Sequence, residues 1–317
     1  KQSGHDRVTA AAEPVVLPPV VESRQGDIVV MEDYSPAGDG LAHFKAALAQ
    51  SGSRVVRVAV LGDSYIEGDI FTQNVREQLQ DVYGGSGVGY VNMYSEFPGF
   101  RRSVRQSGSG WDVHTVSAGN CRSSLVSLSE QYSTPSGNAT ATYKGVSKYR
   151  HLDAWEVSRC VFVSSGASRL TTKTGGDSVV VHEVEASTRA QCITVPGTTS
   201  AFTVKSSDKS LAAIGVWLDG VTGISVDCMS SRGYSGVTLS KVSKELSESM
   251  REFIDYDLIV LEFGINAMSA SQTNYSSYSR LMVKVINHLK ECYPRADIIV
   301  MGIGDRGQKS LSLIHIS

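Results

Sequence analysis

The spacing of apolar positions changes twice along this chain. In GLAHFKAALAQSG, Leu41, Phe44 and Leu48 recur at helical spacing and Gly52 follows, which predicts an amphipathic helix with a glycine stop. VVRVAVLG is a β-branched run that predicts a buried strand, cut off by Gly62-Asp63-Ser64. IFTQNVREQLQDVYGG then sets Ile70, Val75, Leu79 and Val82 near one helical face, giving strand, tight turn and helix in succession. From about residue 92 to 232 the period shortens. Runs such as CVFVSS, SVVVHEV, AFTV and AAIGVWL alternate with Ser/Thr/Gly turns, and little reads as helix. Helical spacing returns in VTLSKVSKELSESMREFI (Leu239, Val242, Leu246, Met250, Phe253), followed by the apolar run DLIVLEFG. YSRLMVKVINHLKECYP places Leu281, Val285, Ile286 and Leu289 on a last helix before Pro294, and ADIIVMGIG supplies one more strand.

Strand–helix alternation at both ends predicts an α/β fold with a doubly wound parallel sheet, of the flavodoxin-like three-layer kind. The block of about 140 residues between is expected as an inserted β-sandwich or jelly-roll module. The implied organisation is a Pro-rich linker at 1–24, a first part of the α/β domain at 25–91, the β-rich insert at 92–232, the second part at 233–309, and a tail at 310–317. EPVVLPPVVES within the linker favours an extended tether over a packed element.

The 317 residues carry 30 Lys+Arg against 32 Asp+Glu and are 41% hydrophobic, so neither a disordered acidic chain nor a basic nucleic-acid surface fits. No stretch approaches the ~20 apolar residues of a membrane span. The chain opens at Lys1, so any start codon or signal peptide lies before it. Cys121, Cys160, Cys192, Cys228 and Cys292 show no CxxC spacing, which argues against a zinc knuckle or a thioredoxin-like site. Buried free thiols are the favoured state, with one or two disulfides left open.

In a doubly wound sheet, ligands meet the carboxyl ends of the strands, and three short segments fall there. Ser64 follows the first strand, where its hydroxyl would stand at the sheet edge and its N–H near a helix start would face an oxyanion. A Gly-Asp-Ser turn can also simply begin a helix. Gly236, in Gly233-Tyr234-Ser235-Gly236, could bring an unobstructed N–H to a ligand oxygen or be an ordinary loop glycine. Asn266 follows a buried strand and offers a side-chain amide, although Asn is also a common turn residue there.

Taken in order, VAVLGDSYIEGD around Ser64, RGYSG with Gly236 and LEFGIN with Asn266 resemble the first three blocks of the SGNH/GDSL hydrolase family, over residues 54–90 and 232–304. The resemblance implies an esterase in which Ser64 attacks an acyl carbonyl while the Ser64 N–H, Gly236 N–H and Asn266 side chain hold the oxyanion, with no metal or organic cofactor. The β-rich insert is similar to the arrangement in bacterial peptidoglycan O-acetylesterases. That implies an acylated glycan as substrate, an extracytoplasmic location, and a tether to the cell envelope through the N-terminal side.

The family's fourth block, an Asp and a His three residues apart acting as orienter and base, has no match after Asn266. His288 lies within a predicted helix and His315 within SLSLIHIS, and neither fits the role. The expectation is a C-terminally truncated fragment whose last residues are adapter read-through, nearly inert because removing a triad typically costs on the order of 10⁴ to 10⁶ in rate. A native stop codon after Ser317 would contradict this.

Other features carry alternative readings. Trp111, Tyr132, Tyr143, Tyr149, Trp155 and Trp217 are expected in a sandwich core, or else stacked on sugar rings. Trp217 alternates with Ile214, Val216 and Leu218, and its facing is open. Arg101, Arg102 and Arg105 form either a solvated basic loop or a contact for an acidic glycan. Competing functions are a non-catalytic glycan-binding protein using the insert and an esterase for lipid or small acyl esters. GGSGVGYV at 84–91 could cradle a phosphate, but it follows a helix and lacks GxxxxGK[ST], so a helix stop and turn is favoured.

Overall fold

The computed structural model describes residues 31–303 apart from Ser231, Ala270 and Thr273. The linker at 1–24, the tail at 310–317 and His315 lie outside the described residues. Two sheets organise the chain. The first has four strands, β1 (Val55–Gly62), β11 (Gly223–Ser230), β12 (Leu258–Glu262) and β13 (Asp297–Met301), in the order β11-β1-β12-β13 with every pairing parallel. β1 is buried on both faces, as its unbroken β-branched run requires. Val56, Val58 and Val60 pack with the helices α1 (Ala42–Leu48) and α2 (Ile70–Tyr83), through Phe44, Leu48, Leu79 and Tyr83. Ala59 and Leu61 point the other way, into a core shared with α3 (Lys244–Met250) and α4 (Ser276–Cys292), through Leu246, Met250, Val285 and Leu289. Helices therefore cover both faces, the doubly wound arrangement that the alternation predicts.

The nine remaining strands are β2 (Gly89–Val91), β3 (Arg105–Thr115), β4 (Gln131–Lys144), β5 (Trp155–Ser164), β6 (Ser168–Thr174), β7 (Val180–Val184), β8 (Ser187–Thr199), β9 (Ala201–Ser206) and β10 (Leu211–Asp219). They run β7-β6-β9-β4-β10-β5-β8, with β2 on β10 and β3 on β4. Where the sequence predicts a two-sheet sandwich or jelly roll, the structure has one continuous antiparallel sheet that curls over its own core. The cause is the length of β4, which pairs with β3 along most of its span, with β9 over Ala139–Lys144 and with β10 at Ser133. The inner surface collects Trp111, Tyr143, Trp155, Phe162 and Phe202, all 5% exposed or less. Tyr132 and Trp217 are equally buried, so sugar stacking is closed to five of the six aromatics named above, Tyr149 alone being half-buried.

Gly223–Ser230, grouped by composition with the β-rich block, pairs in the parallel sheet instead, in register with all of β1. Its Asp227 joins the two sheets. Oδ2 accepts from Trp217 Nε1 and the Tyr256 hydroxyl, each at 2.7 Å, and Oδ1 from the Tyr90 N–H and the Ser225 hydroxyl, each at 3.0 Å. Trp217 thus faces the parallel sheet. Beside it, buried Arg57 on β1 lies 2.6 Å from Asp219 on β10, which also holds Arg159. Charges removed from water this completely persist only when paired.

Two helices depart from the predicted pattern. The run expected as one helix from Leu239 to Phe253 is broken, because Ser243 is extended (φ −72°, ψ 125°) and its hydroxyl caps the N–H of Leu246, starting α3 afresh. α2 turns Thr72, Arg76 and Gln80 inward while Ile70 is 64% exposed, since Arg76 is drawn to the buried carboxylate of Asp69. All five cysteines are free thiols, and burial pushes the Cys228 thiol up to about 12.

Candidate active site

The carboxyl end of β1 is shaped by close contacts. A Cβ on Gly62 would collide with the Ile66 side chain and lie 3.1 Å from the Glu262 carbonyl oxygen on β12. Asp63 is fully buried, and its Oδ1 accepts the Tyr65 N–H at 2.9 Å while its carbonyl accepts from Ile66 and Glu67. This Asx turn leaves Ser64 at its tip, exposed, with no hydrogen bond to its hydroxyl among the described residues. Ser64 does not open α2 directly, as the sequence suggests. A short 3-10 turn, Glu67–Asp69, comes between, with Gly68 in the left-handed region.

Gly236 lies between β11 and α3 and has φ 83°, where a side chain would be strained and would also press to 2.8 Å on the Phe263 ring. Asn266 lies in the 3-10 turn Ile265–Ala267 that follows β12. Its amide donates to Asp63 Oδ2 at 3.1 Å and to the Tyr234 carbonyl at 2.9 Å. One side chain therefore ties the Ser64 turn to the Gly236 loop. The loop is further held by the Tyr278 hydroxyl, which donates to the Ser235 carbonyl at 2.7 Å, and by Tyr234, whose hydroxyl accepts the Ser117 N–H at 2.7 Å. Among the described residues the backbone N–H groups of Ser64 and Gly236 donate to no acceptor. Two donors thus stay free for an incoming oxygen, whereas both amide protons of Asn266 are engaged.

Sequence reasoning missed Glu262. It ends β12 opposite Gly62, is 5% exposed, and its Oε2 has no partner among the described residues. The signal was a lone acid inside LIVLEFG. Burial, and then the charge of Asp63, push its carboxyl up from 4.5 to about 7. Between those values the folded protein keeps a proton that the unfolded chain has released, so stability falls as pH rises across that window. Glu262→Gln is expected to stabilise by on the order of 2 kcal/mol above about pH 7 and by little below about pH 4.5. Urea denaturation on the two sides of the window reads this, and an equal effect on both sides would contradict it.

No described histidine serves Ser64. His43 pairs with Asp257 at 3.1 Å by the opposite end of the sheet, His114 bonds Thr134, His151 bonds Asp81, His182 bonds Thr172, and His288 bonds the Val242 carbonyl at 2.7 Å. Among the described residues no three His, Cys, Asp or Glu side chains gather as metal ligands. The glycines of 84–91 leave no phosphate cradle. Gly84 caps α2 through its N–H to the Gln80 carbonyl, and added Cβ atoms at Gly85 and Gly87 would strike the carbonyls of Ile224 and Leu218.

No family model matches the chain, and no curated protein matches it. Among solved structures it is similar to one described as "Peptidoglycan O-acetylesterase in action, 5 min", at 18% identity over 90% of this chain and 78% of that one, with a TM-score of 0.67. A family two carbohydrate esterase from Cellvibrio japonicus also matches, at 10% identity over 62% of this chain and 78% of that one, with a TM-score of 0.23. So does TmCBM61 in complex with β-1,4-galactotriose, at 12% identity over 41% of this chain and 97% of that one, with a TM-score of 0.25. The first likeness establishes a shared fold, and the other two superpose too poorly to add to it.

Proposed function

We propose that this chain is a serine esterase that removes acyl groups, acetyl foremost, from a cell-wall or other polysaccharide outside the cytoplasm. Ser64 is the nucleophile, and the Ser64 N–H, Gly236 N–H and Asn266 side chain stabilise the oxyanion. The observation that carries this reading is the Asn266 amide bridging Asp63 and the Tyr234 carbonyl, which gathers the three segments at the carboxyl end of β1 and β12. The shared fold with a structure described as a peptidoglycan O-acetylesterase supports the choice of substrate class.

The chemistry is acyl transfer in two steps. The Ser64 oxygen attacks the ester carbon, the tetrahedral intermediate expels the sugar hydroxyl, and water then releases the carboxylic acid from the acyl-serine. Two unspent backbone donors meet the oxyanion, and a third arrives when its oxygen displaces the Tyr234 carbonyl from Asn266. The Ser64 proton needs a general base, which the described residues do not supply. The family pattern assigns that part to a His oriented by an Asp.

The test is acetate release from O-acetylated peptidoglycan and hydrolysis of 4-nitrophenyl acetate by the full-length protein, with Ser64→Ala beside it. Activity on both that disappears in Ser64→Ala is expected. Equal rates for the two proteins would overturn the reading.

A further inference from the structure

Beyond the Ser64 turn the surface carries an open cavity of about 440 Å³, lined by Arg102, Arg105 and Lys148 together with Pro98 and Gly99. The three cations are exposed, and among the described residues none has an acidic partner. Neighbouring cations differ. Arg101 donates to the Tyr90 carbonyl at 2.8 Å and sits 3.6 Å from the Asp69 carboxylate, while Arg150 is bound by Glu77 and Asp81. All three arginines in FRRSVRQ therefore line the cavity, Arg101 fixed in place by the Tyr90 carbonyl and Asp69, Arg102 and Arg105 without an acidic partner among the described residues. Unneutralised charges of one sign in a concave site attract anions, and guanidinium groups match carboxylates through paired N–H donors.

A path leads from Ser64 to this cavity. Tyr65, next to the serine, is 56% exposed. Arg232 joins Glu67 and stands over the Phe100 ring at 5.7 Å, and the Phe100 carbonyl comes so near Gly68 that a Cβ there would lie 2.9 Å away. Phe97 and Phe100 are 66% and 58% exposed with ring centroids 6.0 Å apart, and Pro98 and Gly99 between them form the cavity wall. Large aromatic side chains left this exposed are uncommon unless something covers them, and their faces suit the apolar faces of sugar rings.

We propose that the cavity is a subsite for a carboxylate-bearing glycan, whose sugar rings cross Phe97 and Phe100 and whose carboxylate enters between Arg102, Arg105 and Lys148. This deepens the esterase reading and rests on it only for the acyl group at Ser64; the subsite itself is a matter of binding. It makes the protein selective for acidic glycans over neutral ones.

The experiment measures binding of a soluble disaccharide–peptide fragment of cell-wall glycan with free carboxylates, and of the same fragment amidated, to Ser64→Ala protein by calorimetry. The free form is expected to bind roughly tenfold tighter, less so at high salt. Adding Arg102→Gln, Arg105→Gln and Lys148→Gln is expected to remove that preference. The same three substitutions in protein with Ser64 intact are expected to leave 4-nitrophenyl acetate hydrolysis unchanged, since an uncharged small ester does not reach the cavity. Equal binding of the free and amidated fragments overturns the subsite even if esters are hydrolysed. A carboxylate preference that the triple substitution removes sustains it even if no ester is hydrolysed, in which case only the esterase reading falls.

Discussion

Ser64→Ala is expected to bring acetate release down to the uncatalysed background, a loss on the order of 10⁴-fold in protein with its general base in place. The size follows from the chemistry, because the hydroxyl is the atom that forms the covalent intermediate and no other described side chain stands at the tip of that turn. Its removal is expected to leave folding unchanged, since the side chain is exposed and its hydroxyl bonds to nothing among the described residues. Asn266→Ala contrasts with it. Losing one oxyanion donor typically costs on the order of 10² to 10³, and here the substitution also unties Asp63 from the Tyr234 loop. Steady-state rates and denaturation midpoints of both variants separate the two roles: Ser64→Ala loses rate at unchanged stability, and Asn266→Ala loses some of each.

The largest effect on stability is expected from Arg76. Its guanidinium holds Asp69 through Nη1 to Oδ2 at 2.7 Å and Nη2 to Oδ1 at 2.9 Å, and its Nε donates to the Val226 carbonyl at 2.8 Å. Both side chains are fully buried. Burial by itself raises the Asp69 carboxyl, but the charges of Arg76 and Arg101 and the hydrogen bonds from Arg76 and Ser103 outweigh it and hold it below 3.8. Arg76→Met strands that carboxylate in the core and is expected to cost about 3–5 kcal/mol, lowering the thermal midpoint by roughly 10 °C. Asp69→Asn combined with Arg76→Met is expected to cost less than the sum of the two. Because the folded carboxyl is depressed, the contribution of the wild-type pair is present above about pH 3.8 and is lost as pH falls through the lower folded value. A loss under about 1 kcal/mol for Arg76→Met would show the pair to be dispensable. The same pair anchors the segment that follows Ser64, since Asp69 ends the 3-10 turn and stands at the first position before α2, its carboxylate held by Arg76.

The parts of the fold that were legible were those whose burial is local. VVRVAVLG and DLIVLEFG are apolar on both faces, so each announces a central strand without knowledge of its neighbours, and the residues at their ends follow at once. β11 was not legible because GISVDCMS looks like the antiparallel strands before it, and only its pairing with β1 assigns it to the other sheet. Periodicity misled in part on α2 for a physical reason: Leu79 does meet the core, but Thr72, Arg76 and Gln80 are the residues most deeply turned inward, and Ile70 is left exposed. Ser64, Gly236 and Asn266 were legible as residue types in order. The pair of hydrogen bonds from Asn266 to Asp63 and Tyr234 was not, since it depends on how segments about two hundred and about thirty residues away from Asn266 in sequence come together.

Mass spectrometry of the protein exposed briefly to 4-nitrophenyl acetate with added imidazole as base, then quenched in acid, tests the central claim most directly. The account predicts an acetyl group on the peptide that carries Ser64, formed faster than on any other serine and absent from Ser64→Ala. Acetylation spread evenly over surface serines, with none favoured at Ser64, would contradict it.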